Sequence, residues 1–432
     1  MAARGVRWFV AVTAVVAVAA YAVVYLRAYA DAPIRSDGYS YYVYLPATLL
    51  YHDPSLDALS RDWYGGAFPD FSAIRRWPAT GKWLDACPIG VALMMLPFFL
   101  VADALSWWSN LPRDGFSLYY QHAAGLAGLA YFVAGLAVIR STLRGRFADG
   151  VVLATLVAIT WGTNLFHYGT YDATFSHAFS FFLIAAWIAL VERWWERPTV
   201  WRSAALGGLA ALIVLVRNVN AVFLAVLPLY GVSRWSDARS CAIAAIQRWR
   251  HLVVAVGVGA ACLVPQALMY RSIAGAWWIN SYALLANRFS FAAPHLGAVL
   301  FSTEKGLFFW SPILLLGVIG AFVARGWARG LVLAAALVFA VQAYIVACWS
   351  DWQLGGSFGH RAFTDGLALA APPLAAAFAW AANRPRRLVP VALFATATVL
   401  LSIAQMVQYW IGVLPIINTS WAQYRALFLT FR

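Results

Sequence analysis

Long apolar runs separated by short polar breaks dominate the chain. The first, Val6–Leu26, follows Arg4 and Arg7. Later runs are Pro88–Leu105, Leu118–Ile139, Val151–Phe166, Phe175–Val191, Ala204–Val216, Ala221–Val232, Leu252–Tyr270, Gly306–Ala324, Leu331–Ala347, Leu367–Ala382 and Leu388–Val413. They do not alternate with a period of two, so the pattern predicts helices rather than barrel strands. Several are about 15 residues, shorter than a full span of roughly 20, so some are expected to be re-entrant or broken. The pattern therefore predicts an all-α polytopic membrane protein with about 10–12 transmembrane helices. It forms a single module over residues 1–432. The first run also resembles a signal peptide, with Ala28-Tyr29-Ala30 placed like a cleavage site. Its length favours an uncleaved first helix with the N-terminus inside.

The stretch Asp31–Cys87 breaks the pattern. It mixes Asp, Pro, Gly and aromatic residues and contains one amphipathic piece, Tyr39–Leu50. It reads as a large external loop, residues 31–87, carrying short interfacial helices. Polar loops then alternate in character. Glu192–Arg202, Arg234–His251, Arg325–Arg329 and Asn383–Arg387 are short, basic and bland, and fall inside. Asp31–Cys87, His167–Thr174, Ser272–Lys305 and Trp349–Asp365 hold most of the Asp, Glu, His and Trp and fall outside, as does the tail Leu414–Arg432. That asymmetry locates the working site on the outer face. One conflict stands. If Arg140–Arg146 is inside, Leu118–Ile139 runs inward, and Pro88–Leu105 cannot be a simple inward span following an external loop. Either that segment crosses half the membrane, or Tyr39–Leu50 inserts, or the charge rule fails locally.

Composition agrees with lipid as the solvent. Hydrophobic residues make up 63% and charged residues 11%, and the mean hydropathy is +0.71. A soluble domain carries about 25% charged residues. The net charge of +14 would point to nucleic acid in a soluble protein. Here the arginines cluster in loops, as the positive-inside rule requires, and no nucleic-acid partner is implied. The four cysteines show no CxxC spacing and outline no metal site. Cys87 and Cys348 share the outer face, the one pairing a disulfide could use.

Five segments could carry chemistry. Asp37, just after the first helix and beside Arg35, is either a general base toward a hydroxyl or, with Ser36, a helix N-cap. Asp172 and His177 lie at the outer ends of two spans, as a cap and a packing residue or as substrate contacts. Arg217 interrupts an apolar stretch, either snorkelling to the interface or clamping a phosphate or carboxylate. Lys305 follows Glu304, and the two read as an ion pair or as part of the site. The loop Trp349–Arg361 is the least bland. Trp349, Asp351 and Trp352 suit a sugar, its glycines allow close backbone approach, Arg361 suits a phosphate, and His360 beside it is a further substrate-binding candidate. Walker A, GxGxxG and HExxH motifs are missing from the sequence.

With these residues in view, the chain resembles bacterial glycosyltransferases of the GT-C superfold, in the broad group of protein O-mannosyltransferases and lipid A aminoarabinose transferases. Ser36-Asp37-Gly38, Phe175–Phe182, Lys305–Pro312 and Gly355–Arg361 carry the likeness. The resemblance implies a polyprenyl-phosphate-linked sugar donor and a periplasmic-side acceptor in the cell envelope. It implies a bacterial inner-membrane location, catalysis by Asp37 and inversion at the anomeric carbon. Relatives often read Gly-Pro-Arg where this chain has Gly359-His360-Arg361. Many carry two adjacent acidic residues in the first loop, whereas Gly38 follows Asp37 here. That gives no support for a loop-bound divalent metal, and no cofactor is expected. In this reading Asp37 deprotonates an acceptor hydroxyl, and Arg217, Arg361 or Lys305 stabilises the departing phosphate. The main rival is a lipid-linked sugar flippase or transporter, which predicts charges near the midplane and access to both faces.

Overall fold

The structure, a computed structural model, describes residues 2–28 and 32–431. Among them, seven helices are long and apolar enough to cross a membrane, and five shorter apolar helices accompany them. The chain is a multi-pass, all-α membrane protein. Its peripheral helices show why lipid is the solvent. Trp249–Ala274 leaves Val253, Val256 and Leu268 exposed, and Pro385–Trp410 exposes Val389, Leu393 and Leu400. Unbroken apolar faces of this kind need hydrocarbon around them, and helices satisfy their own backbone there. Part of the cleavage-like sequence Ala28-Tyr29-Ala30 lies outside the described residues. The segment before it is helical, Ala2–Ala22 continuing as a π-helical turn over Val23–Ala28.

Three predicted runs are broken. Gly306–Ala324 divides at Ser311–Ile313 into Leu307–Trp310 and Leu314–Val323, because Pro312 has no N–H to continue the ladder. Val151–Phe166 divides at Gly162–Asn164 into Asp149–Trp161 and Leu165–Thr170. Ala221–Val232 becomes a 3₁₀ segment, Asn218–Ala225, and the short helix Val226–Leu229. Such irregular backbone is tolerated at membrane depth where protein surrounds it.

The Gly90–Trp108 helix starts against Leu215 and Val216, where a Cβ on Gly90 would come within 2.3 Å of backbone. It then runs antiparallel along the first half of the Leu118–Arg144 helix. Tyr131 donates to the Met94 carbonyl at 3.2 Å and Tyr120 to the Asp103 carboxylate at 2.6 Å. The 19 residues of Gly90–Trp108 are long and apolar enough to cross a membrane.

The first loop differs from expectation. Asp37–Tyr42 and Tyr44–Leu49 are short helices, but Tyr39, Tyr41, Tyr42, Leu45 and Ala47 are buried in the core. The expected interfacial placement is corrected for a simple reason. The tyrosine hydroxyls that made the stretch look amphipathic find buried partners, Tyr42 on the Gly115 carbonyl at 2.5 Å and Tyr44 on the Cys87 carbonyl at 2.7 Å. Downstream, Ile74–Arg76 pairs antiparallel with Trp83–Asp85, Ile74 opposite Asp85. Cys87 and Cys348 are both free thiols.

Candidate functional site

The site is assembled where the first loop, the Leu165–Thr170 helix and the Gly355–Arg361 loop meet. Gly38 makes the first contact. A Cβ there would lie 2.2 Å from Thr174 Oγ1, so only glycine lets the Asp37 helix touch the 172–174 turn. Ser36, directly before Asp37, holds φ at 46°, in the left-handed region. Non-glycine residues in that region store strain of about 1–3 kcal/mol and concentrate at functional sites. Ser36 makes no side-chain cap bond, so the helix-cap reading of this pair is not realised. Instead the Asp37 carboxylate accepts from Arg361 Nη1 at 2.8 Å.

Arg361 is held by a loop that is pinned on several sides. Gly359 adopts a positive φ of 59°, which turns the chain between His360 and Phe358. Lys305 donates to the Ser357 carbonyl and, at 2.8 Å, to the Ile416 carbonyl. Asn164 Nδ2 donates to the Phe358 carbonyl at 3.3 Å and Gln342 Nε2 to the Ala362 carbonyl at 2.8 Å. The Arg361 guanidinium lies 5.8 Å from the Phe175 ring centroid.

Two further networks flank this pair. In one, Trp410 Nε1 donates to His167 Nδ1 at 2.8 Å. Indole nitrogen is only a donor, so that ring nitrogen is bare and the imidazole proton sits on Nε2, which donates to Asp172 Oδ2 at 2.9 Å. Arg35 closes the network on Asp172 Oδ1 at 3.2 Å. In the other, Asp365 receives His177 Nδ1 and Arg217 Nη1, each at 2.7 Å. Burial raises both carboxyls, but His167 and Arg35 more than offset it for Asp172, as Arg217 and His177 do for Asp365. Both carboxyls lie below their usual range. Asp172 and His177 therefore belong to two separate networks. His167 and Tyr168, adjacent on one short helix, face one each. The Tyr168 and His177 rings are 4.7 Å apart.

The remaining sequence candidates separate in role. Lys305 is clasped by carbonyls rather than paired with Glu304. Trp352 is buried between the rings of His295 and His360, each 6.3 Å away, so it offers no open face. Trp349 packs 4.6 Å from Phe289. Asp351 is partly buried, and burial raises its carboxyl despite nearby Arg361. The candidate residues thus form one cluster but line neither of two clefts, of about 320 and 530 Å³, which lie near Ser141 and Arg193.

Sequence reasoning missed Arg35, His167, Trp410 and Asp365 as partners, and Asp85 altogether. Asp365, four residues beyond Arg361, had a signal in its spacing. Asp85 had none. It is 1% exposed, accepts from the Cys87 N–H at 2.8 Å, and is raised well above the usual range by burial. Compared with known proteins, the chain matches no protein-family model. No curated protein matches it either.

Proposed function

We propose that the chain is a GT-C-type glycosyltransferase moving a sugar from a polyprenyl-phosphate donor to an envelope acceptor on the periplasmic side of a bacterial inner membrane. The observation that carries this reading is the Asp37–Arg361 pair. Asp172 and Asp365 are each saturated by an arginine and a histidine. Asp37 pairs with Arg361 alone among the ion pairs of the described residues, and its side chain is 37% exposed. Of these three carboxylates it is the one with capacity for a substrate proton.

The pairing also supplies an order of events. While Asp37 is bound to Arg361, its carboxylate is engaged by the guanidinium. A donor phosphate entering the site competes for the guanidinium, whose fixed fork fits phosphoryl oxygens as well as carboxylate. As Arg361 turns to the phosphate, Asp37 is released to take the acceptor proton. The acceptor oxygen then attacks the anomeric carbon. The bond from that carbon to the phosphate oxygen breaks, and its electron pair leaves with the lipid phosphate.

The test is transfer from polyprenyl-phosphate monosaccharides by the full chain in proteoliposomes, with envelope extract as acceptor. Wild type should release polyprenyl phosphate and label the acceptor. Asp37→Asn should lower transfer at least about hundredfold, the usual contribution of a general base. Full activity in Asp37→Asn would remove the base, and movement of donor across the bilayer without release would favour the flippase.

A further inference from the structure

The Gly355–Arg361 loop carries one polar side chain that the described protein leaves unsatisfied. His360 is 2% exposed, and neither Nδ1 nor Nε2 has a hydrogen-bond partner. The other two buried histidines of the cluster are engaged, His167 through both ring nitrogens and His177 through Asp365. Leaving a buried polar group unpaired costs about 1–3 kcal/mol, and in folded proteins such a group points to an unseen water or ligand. The ring is firmly placed, with Phe363 4.8 Å away edge-on and Trp352 6.3 Å away. Its position is therefore set by packing, while its hydrogen-bonding capacity is unused.

The charges around it decide what kind of ligand fits. The charged groups acting on His360 are Lys305 and Arg361, both cationic. Burial and these two cations push the imidazole down to about 3, so the ring is neutral with one N–H to give. Lys305 uses two of its three ammonium donors on carbonyls. A sugar hydroxyl could satisfy the ring but would gain little from the cations. An anionic oxygen satisfies both at once.

We propose that His360 donates a hydrogen bond to a phosphoryl oxygen of the polyprenyl phosphate, beside the charges of Arg361 and Lys305. This rests on the glycosyltransferase reading and names His360 as a substrate contact for the leaving group. During transfer the phosphate gains one negative charge as the bond to the sugar breaks. The imidazole keeps its proton throughout and stabilises the charge by its hydrogen bond alone.

Binding to the purified full chain in nanodiscs tests this, with decaprenyl phosphate, decaprenol and inorganic phosphate as probes. Wild type should bind decaprenyl phosphate more tightly than either of the others. His360→Phe, which fills the space without a donor, should lose about tenfold for decaprenyl phosphate, the equivalent of 1.4 kcal/mol, and keep its affinity for decaprenol. His360→Gln, which keeps an N–H, should stay within about threefold of wild type. Should His360→Phe not fold, His360→Gln and ¹⁵N-histidine spectra of wild type carry the test. A His360 signal that moves with decaprenyl phosphate and not with decaprenol supports the contact. Unchanged affinity in His360→Phe, an unmoved signal, or equal losses for phosphate and alcohol would overturn it while leaving the glycosyltransferase reading intact. Inorganic phosphate binding as tightly as the lipid overturns the lipid assignment. Wild type that binds no decaprenyl phosphate overturns the reading beneath it.

Discussion

At the residue scale, two acidic side chains of similar appearance in sequence, Asp365 and Asp37, differ in what surrounds them. Asp365 is 1% exposed and bridges His177 and Arg217. Its removal would strand a buried guanidinium, and breaking such a pair costs about 3–5 kcal/mol. Asp365→Ala should therefore lower thermal stability sharply, and Asp365→Asn combined with Arg217→Gln should recover most of the loss. Asp37 is more exposed, and the pair it makes with Arg361 falls nearer the surface range of about 0–1 kcal/mol. Asp37→Asn should leave the unfolding midpoint in detergent almost unmoved. If Asp37→Asn unfolds the protein and Asp365→Ala does not, the assignment of one as structural and the other as reactive is reversed. The proximity of Asp37 to Arg361 could not be read from the sequence, since 323 positions lie between them. That they share a face was legible, because both sit in polar-aromatic loops flanked by apolar runs.

At the element scale, the Gly355–Arg361 loop is held by Lys305, which ties it to the segment around Ile416. Burial, together with nearby Arg361, lowers the ammonium from its ordinary value to about 8. Between about pH 8 and the ordinary lysine value near 10.4, the folded chain then holds fewer protons at this site than the unfolded chain. The sign follows: stability contributed by this residue rises with pH across that window, by about 3 kcal/mol at most. Thermal midpoints measured from pH 7 to 10 should show the rise in wild type relative to Lys305→Met. A pH dependence identical in the two proteins would show that Lys305 keeps an ordinary affinity for its proton. The sequence showed Glu304 beside Lys305 and read an ion pair. Tertiary structure instead brought carbonyls from two distant loops to the ammonium, which local spacing cannot reveal.

At the scale of the whole molecule, the separation of bland basic loops from polar-aromatic loops predicts a sided protein. Ala67, in the first loop, and Ser240, beside the Arg234–His251 arginines, are both exposed. In intact cells a membrane-impermeant maleimide should label Ala67→Cys directly and Ser240→Cys only after permeabilisation. The reverse pattern would invert the proposed orientation and place the cluster on the cytoplasmic side. The sequence by itself determined that the chain is a helical, multi-pass membrane protein, because apolar run length and the scarcity of charge admit no other solvent. It also determined where chemistry could reside, because polar residues survive at membrane level only with partners. Only tertiary structure decided which partners. Gly38 admits a close approach that no run pattern encodes. Much of Tyr39–Leu50 is core, with the Tyr42 and Tyr44 hydroxyls on distant carbonyls. Periodicity reports how a segment meets its solvent, whereas the pairing of Asp37 with Arg361 and the isolation of His360 depend on contacts between segments far apart in the chain.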